Sequence, residues 1–71
     1  MPDSFPKRLK ALRSEHHLTQ QQVADGAGVT RSLLTYYEVK NREPGAYVLC
    51  CLADYFGVTT DYLLGRSDRR E

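Results

Sequence analysis

Four residues near the middle of the chain have side chains that can hydrogen-bond and a spacing that puts them on one side of a helix. They are Arg31, Ser32, Thr35 and Tyr36, which cluster at about 100° of rotation per residue. An arginine can donate two hydrogen bonds to guanine, and hydroxyls suit base edges or phosphates. The same face has neither Glu nor Lys, which usually fill a solvated helix surface. The residue types therefore indicate a surface that meets DNA, with an ordinary solvated surface as the alternative.

Two short helices joined by a tight turn are predicted to position these side chains. The second helix runs from about Thr30 to Glu38, and Thr30 caps it. In the first helix of this pair, Thr19 is the capping residue and Gln22 completes an S/T-x-x-E/Q capping box. Gly28 lies between the two helices, where the chain must turn and where glycine adopts left-handed backbone angles without steric cost.

Three further helices are predicted to pack around this pair. The first runs to about His16 and has Phe5, Leu9 and Leu12 on one face. Another follows the pair, and its inward face is predicted to consist of Ala46, Leu49, Leu52, Ala53 and Phe56. A short fifth helix is capped by Thr59 and ends at Gly65. The pattern predicts an all-α, compact five-helix bundle over residues 5–65, between a flexible N-terminus (residues 1–4) and a charged tail (residues 66–71) that frays.

The length and composition narrow the class of protein. A chain of 71 residues with 41% hydrophobic residues supplies one domain with one modest core. It has no apolar run of about 18 residues, and its N-terminus lacks the apolar segment of a signal peptide. We expect a soluble, cytoplasmic protein. An enzyme is not expected, because the chain has no acid–base pair of plausible geometry and no phosphate-cradling glycine loop.

Positive charge is concentrated in the half of the chain that contains the two-helix stretch. The net charge is only +1. Residues 1–42 contain seven basic and four acidic side chains, and residues 43–71 contain three basic and five acidic ones, which gives +3 and −2. A positive first half suits a surface that faces phosphates. With so weak an overall charge, binding is expected to depend on a few placed contacts.

The cysteines and histidines predict no metal site and no cofactor. Cys50 and Cys51 are adjacent, which excludes the C-x-x-C spacing of a zinc site and disfavours a disulfide between them. His16 and His17 point about 100° apart at the end of the first helix, where the helix dipole favours cations. Two free thiols suit a reducing compartment.

From about residue 5 to residue 65 the chain resembles the helix-turn-helix domains of the phage repressor and Cro family, also called XRE-like. Within the two-helix stretch the matching residues are Gln20, Ala24, Gly28, Leu34 and Tyr37. Beyond it they are Glu38, Arg42-Glu43-Pro44, Leu49, Leu52-Ala53, Tyr55-Phe56-Gly57-Val58 and Asp61-Tyr62-Leu63-Leu64-Gly65. So many matches in register imply a five-helix domain of the lambda-repressor-like DNA-binding type.

In that family the second helix of the motif lies in the major groove. The resemblance implies base contacts from Thr30, Arg31, Ser32, Thr35 and Tyr36. It implies phosphate contacts from Gln20, Lys40, Asn41 and Arg42, with Arg8 as a further candidate for which plain solubility is the alternative. It also implies an ion pair between Arg13 and Glu38. A homodimer on a palindromic operator is implied, joined through Val58, Thr59, Tyr62 and Leu63.

Two features depart from the family pattern. Many relatives have a glycine where this chain has Lys40, so Asn41 is expected to supply the left-handed residue after the recognition helix. Relatives often have charged residues at the positions of Tyr47 and Cys51, on the outer face of the fourth helix. The side chains there are either incidental surface hydrophobes or a surface for a protein partner.

Together these observations predict a sequence-specific regulator of transcription that binds double-stranded DNA, with repression as the expected outcome. Two alternatives stay open. One is a protein-interaction module, such as an antitoxin component. The other is the N-terminal DNA-binding domain of a longer repressor. No membrane partner is expected.

Overall fold

Five helices make up the fold in the computed structural model, which describes residues 5–40 and 44–71. They are α1 (Phe5–Glu15), α2 (Gln20–Ala27), α3 (Arg31–Lys40), α4 (Ala46–Phe56) and α5 (Thr60–Leu63). The predicted all-α, five-helix architecture is confirmed. The N-terminus predicted to be flexible and the bend predicted at Asn41 lie outside the described residues. In the part of the chain that is described, no helix is long and apolar enough to cross a membrane.

α2 and α3 are joined by the tight turn that the sequence predicts. Thr19 Oγ1 accepts a hydrogen bond from the Gln22 N–H at 3.1 Å, and Gln22 Oε1 accepts one from the Thr19 N–H at 2.8 Å, which completes the capping box. Gly28 ends α2 with a φ of 78°, where a side chain would be strained. The Thr30 hydroxyl caps α3 by accepting from the Leu33 N–H at 3.1 Å. These caps determine where α3 begins, and therefore which of its side chains face outward.

α1 ends at Glu15, one residue before the predicted end. His17 adopts left-handed backbone angles with a φ of 56°, and its N–H donates to the Ser14 carbonyl at 3.0 Å. The Leu18 N–H donates to the Arg13 carbonyl at 2.9 Å. Histidine is one of the few non-glycine residues enriched in this conformation. His17 is therefore the residue that ends the helix and turns the chain toward α2.

The core consists of apolar side chains from all five helices. Its buried members among the described residues are Phe5, Leu9, Leu12, Val23, Ala24, Leu34, Val48, Leu52, Ala53, Tyr62 and Leu63. The predicted inward face of α4 is wrong at its first turn, where Ala46 is exposed and Val48 is buried instead. Burial of the Val48 side chain stabilises the fold more than burial of the single methyl group of Ala46 would. Val48 therefore faces the core.

The charged tail folds back onto the domain, whereas the sequence predicted that it frays. The Thr59 N–H donates to the Arg70 carbonyl at 2.9 Å, and the Arg70 guanidinium forms hydrogen bonds of 2.6 and 2.7 Å with the Glu15 carboxylate. These bonds hold the pKa of Glu15 below its usual value. The guanidinium also lies 5.1 Å from the centroid of the Tyr62 ring. Glu15 and Arg70 are 55 residues apart, so no local pattern in the sequence reveals the contact.

Candidate nucleic-acid interface

The outer face of α3 brings together the four hydrogen-bonding residues that were predicted to share one side of a helix. Its exposed members are Arg31, Ser32, Thr35 and Tyr36. Leu34, on the opposite side of the helix, is completely buried and anchors α3 to the core. The four residues line a shallow open groove, together with Val39 and Lys40. Val39 is 70% exposed and was missed by the sequence reasoning, which has no rule that assigns an apolar side chain to a polar face.

This outer face of α3 has no carboxylate. The only acidic residue of the helix is Glu38, whose side chain is 2% exposed. Arg31 begins the helix and Lys40 ends it, and both are exposed. The sequence reasoning counted no lysine on this face, but Lys40 lines the same groove as Arg31. A helix face with two cations, three hydroxyls and no anion is suited to a ligand that is itself anionic and rich in hydrogen-bonding groups.

Arg13 and Glu38 join α1 to α3 through an ion pair with two hydrogen bonds. Arg13 Nε donates to Glu38 Oε2 at 3.1 Å, and Arg13 Nη2 donates to Glu38 Oε1 at 2.9 Å. Arg13 Nη1 also donates to the Leu18 carbonyl at 3.3 Å. A guanidinium that meets a carboxylate through two parallel bonds fixes orientation as well as distance. The pair therefore fixes the orientation of α3 relative to α1.

Gln20 links the start of α2 to two residues of α3. Its Nε2 donates to Glu38 Oε1 at 3.1 Å, and its Oε1 accepts from the Thr35 hydroxyl at 2.9 Å. The sequence reasoning assigned Gln20 a phosphate contact and did not foresee the bond to Thr35. The two residues lie 15 positions apart on either side of the turn, beyond the range of helical periodicity.

The remaining predicted contacts lie at the two ends of α3. Thr30 is exposed, and because its oxygen accepts from the cap bond, the hydroxyl hydrogen is left to donate elsewhere. Lys40 is exposed at the other end. Asn41 and Arg42, which follow it in sequence, lie outside the described residues.

Arg8 is wrong as a phosphate contact. It is only 7% exposed, and its Nη2 donates to Asp68 Oδ1 at 2.7 Å. Its guanidinium lies 4.3 Å from the centroid of the Tyr62 ring. A buried guanidinium already matched to a carboxylate and an aromatic face would have to leave both to reach DNA. The sequence reasoning placed Arg8 on a free face of α1 because Asp68 is 60 residues away.

The predicted dimer surface is wrong at two of its four residues. Leu63 is fully buried and Tyr62 is 8% exposed, so both side chains belong to the core of a single chain. Val58 and Thr59 are half-buried. Thr59 Oγ1 accepts from the Tyr62 N–H and donates to the Arg69 carbonyl at 3.3 Å. The tail (residues 66–71) therefore contacts the surface at which a second copy was expected.

The outer face of α4 exposes an aromatic residue. Tyr47 is 72% exposed, Cys50 is exposed and Cys51 is half-buried; both cysteines are free thiols. The neighbouring Cys51 thiol raises the pKa of the Tyr47 phenol above its usual value. This geometry agrees with the predicted outer position of Tyr47.

Two short helices joined by a tight turn, the second of which has an exposed polar face, define a helix-turn-helix domain. The chain belongs to the helix-turn-helix domain family, whose model matches residues 7–69. The relatives that it matches are named transcriptional regulators and not enzymes. One similar protein is the uncharacterized HTH-type transcriptional regulator YqaE of Bacillus subtilis, which is 40% identical over 67 residues. That match covers 93% of this chain and 58% of YqaE. The chain spans 58% of the length of YqaE and 57% and 56% of the lengths of two further Bacillus subtilis regulators, YobD and YonR.

Solved structures have the same fold. The P22 c2 repressor protein, crystallised in complex with synthetic operator 9T, is 23% identical and aligns with a TM-score of 0.81 over 92% of this chain and 98% of that one. The restriction-modification controller protein C.AhdI of Aeromonas hydrophila is 27% identical, with a TM-score of 0.75 over 83% of this chain and 89% of that one. The fold is therefore that of the lambda-repressor-like domains.

Proposed function

We propose that this chain is a sequence-specific, double-stranded DNA-binding domain of a transcriptional regulator, with α3 lying in the major groove. The observation that carries the proposal is the outer face of α3, which exposes an arginine, a lysine and three hydroxyls and has no carboxylate. The major groove admits a helix, and its base edges require donors and acceptors of this kind. The domain extends over residues 5–65.

Each exposed polar residue in the first two turns of α3 has a chemically suitable base contact. Arg31, at the N-terminal end, donates two hydrogen bonds to guanine O6 and N7. Ser32 and Thr35 contact neighbouring base edges through their hydroxyls. Tyr36, which is 43% exposed, offers both a hydroxyl and a ring edge to the same groove.

Phosphate contacts fix the position of the domain along the duplex. Lys40 and its neighbours Asn41 and Arg42 are assigned to one phosphate strand beyond the C-terminal end of α3. Gln20 uses one N–H on Glu38, and its second N–H is available for a phosphate near the N-terminus of α2, where the helix dipole attracts an anion. Thr30 lies at the edge of the groove and donates its hydroxyl hydrogen.

The relatives support the regulatory role. YqaE is named a transcriptional regulator, and the P22 c2 repressor is described on an operator. A domain that occupies an operator can block transcription without further chemistry, which favours repression. The proposal concerns the domain, since this chain spans only part of the length of such regulators.

We propose further that the domain binds DNA as a homodimer on a palindromic operator. One recognition helix contacts too few base pairs for useful specificity, whereas two copies read half-sites about 34 Å apart, one helical turn of DNA. Because Tyr62 and Leu63 are buried, the contact between copies has to use other surface residues.

Selection from a random duplex pool, followed by salt titration, tests the function. We expect one enriched palindrome, with the logarithm of the binding constant falling linearly with the logarithm of salt concentration. The distance between half-sites should be close to one helical turn. Recovery of unrelated sequences, or indifference to DNA at low salt, would overturn the proposal.

One observation favours a second candidate function, the binding of a protein partner. Tyr47 is 72% exposed on the outer face of α4, where a large aromatic side chain is more typical of an interface than of a solvated surface. A Tyr47→Ser variant tests whether this residue contributes to operator binding. It should leave operator binding unchanged if α3 alone carries the DNA contact, and a loss of operator affinity would instead assign Tyr47 to the dimer.

A further inference from the structure

A line of hydrogen-bonded side chains connects the interior of the domain to the outer face of α3. It begins at Arg13, which donates to both carboxylate oxygens of Glu38 at 3.1 and 2.9 Å. Gln20 Nε2 donates to Glu38 Oε1 at 3.1 Å. The line ends at Thr35, whose hydroxyl donates to Gln20 Oε1 at 2.9 Å. Glu38 is buried, Gln20 is half-buried and Thr35 is exposed.

The direction of every bond in this line follows from its buried end. A guanidinium has donors only, so both oxygens of Glu38 accept from Arg13 and the carboxylate has no proton to offer. Gln20 must therefore turn its amide nitrogen toward Glu38 and its amide oxygen toward Thr35. An amide oxygen can only accept. The single hydrogen of the Thr35 hydroxyl is consequently directed at Gln20, and only lone pairs remain on the outer side of that oxygen.

We infer that Thr35 reads DNA as a hydrogen-bond acceptor, with Gln20 and Glu38 as positioning residues that fix this polarity. The inference rests on the proposed function, since it concerns the same face of α3. The major-groove donors are the amino groups on adenine N6 and cytosine N4, whereas guanine and thymine present acceptors there. At the base that faces Thr35, an adenine or a cytosine is therefore bound in preference to a guanine or a thymine.

The polarity matters because a hydroxyl without an internal partner does not discriminate in this way. Such a hydroxyl rotates and either donates or accepts, so serine and threonine ordinarily contact all base types. The bond from Thr35 to Gln20 removes that freedom. The specificity at this position thus depends on a residue of α2 that does not itself have to touch a base.

The test measures base preference rather than affinity alone. The operator selected from a random pool by the parent protein is changed to all four base pairs at each half-site position, and dissociation constants are measured on every duplex. The variants are Thr35→Val, Thr35→Ser and Gln20→Met. Gln21→Met is the matched control, because Gln21 is the adjacent, exposed residue and is hydrogen-bonded to Asp25 on the same helix. Thermal unfolding establishes that each variant is folded at the temperature of the assay.

We expect one position at which the parent prefers A or C over G or T by about fivefold or more, the lower end of what a mismatched base pair costs. Thr35→Val should abolish this preference, and Thr35→Ser, which keeps the hydroxyl, should retain it. In Gln20→Met the freed hydroxyl can donate as well as accept, so the four duplexes at this position should bind within about twofold of one another. Gln21→Met should keep the parent profile.

Two results overturn the inference while leaving DNA binding by α3 intact. One is a Thr35→Val profile that matches the parent at every position. The other is a Gln20→Met profile that keeps the preference for A or C. A parent protein that enriches no duplex from the pool overturns the proposed function, and the inference with it.

Discussion

Arg13 and Glu38 hold α3 to the rest of the domain through two hydrogen bonds of 3.1 and 2.9 Å between a half-buried guanidinium and a buried carboxylate. The carboxylate end is 2% exposed, and the guanidinium side chain keeps 22% of its surface in solvent. A pair of this kind gives little net stability as a whole, but removal of one partner leaves the other charge without compensation. The pair therefore constrains the orientation of α3, and removal of one partner should measurably lower the free energy of unfolding.

Replacement of Glu38 by Gln should lower the free energy of unfolding. The substitution keeps the volume of the side chain and strands the Arg13 charge. Because that guanidinium is partly solvated, we expect a loss of about 3 kcal/mol, at the lower end of the range for a broken buried pair. Urea denaturation measures the change. Asp25→Asn is the matched control, since Asp25 is exposed on α2, and should shift stability by about 0.5 kcal/mol or less. Equal stability of Glu38→Gln and the parent would refute a structural role for the pair.

Replacement of Arg31 by Ala should weaken binding to the selected operator by about 1–3 kcal/mol and relax the requirement at one base position, as expected for loss of two hydrogen bonds to guanine. Titration of duplexes that vary that position provides the measurement. Arg66→Ala removes the same charge from an exposed site in the tail and should leave base preference unaltered. If Arg31→Ala instead weakens all sequences equally, Arg31 contacts a phosphate.

Glu15 should make stability depend on pH through its bonds to Arg70. Those bonds lower the pKa of the Glu15 carboxyl in the folded chain, so the unfolded chain binds a proton more readily. The stabilisation is fully present above the pKa of the unfolded state and is lost as the pH falls through the lower, folded-state value. Unfolding measured between pH 7 and pH 3 should show a larger acid loss for the parent than for Glu15→Gln. Parallel curves for the two proteins would mean that the tail does not hold Glu15 in solution.

Sequence reasoning succeeded where the deciding contacts are local. The capping box uses Thr19 and Gln22, three residues apart, and the left-handed turn uses one residue, Gly28. Each depends on backbone groups within one helical turn, so the residue types alone are sufficient. The same holds for the exposed face of α3, because helical periodicity fixes which side chains point away from Leu34.

It failed where the partner lies far along the chain. Arg8 was placed on a free face because its partner, Asp68, is 60 residues away. Tyr62 and Leu63 were assigned to a dimer from the family resemblance, and both are buried in the core instead. Their apolar character shows that they prefer burial but does not show which surface buries them. The bond between Gln20 and Thr35 was missed for the same reason, since it forms only when α2 and α3 cross.

Gly26 and Tyr55 provide a test of how closely α2 and α4 pack. A methyl group added at Gly26 would overlap the Tyr55 ring, with its Cζ 2.8 Å away. Alanine is a better helix former than glycine by about 1 kcal/mol, but overpacking of a close contact costs about 1–3 kcal/mol. We therefore expect Gly26→Ala to destabilise the domain by about 1 kcal/mol in urea denaturation.

The sign should reverse when the ring is absent. In a Tyr55→Ala background the ring atoms nearest to the added methyl group are absent. Gly26→Ala should then stabilise the domain by about 0.5–1 kcal/mol, because alanine loses less backbone entropy than glycine in a helix. The double-mutant cycle should therefore show that Gly26→Ala destabilises the domain when the Tyr55 ring is present and stabilises it when the ring is absent. The difference between these two free energies is the coupling between the two sites. Because Tyr55 is 36% exposed, its ring has a route outward into solvent. A single Gly26→Ala variant that is already more stable than the parent would mean that the ring takes that route at little cost, and that the contact does not limit how closely the two helices approach.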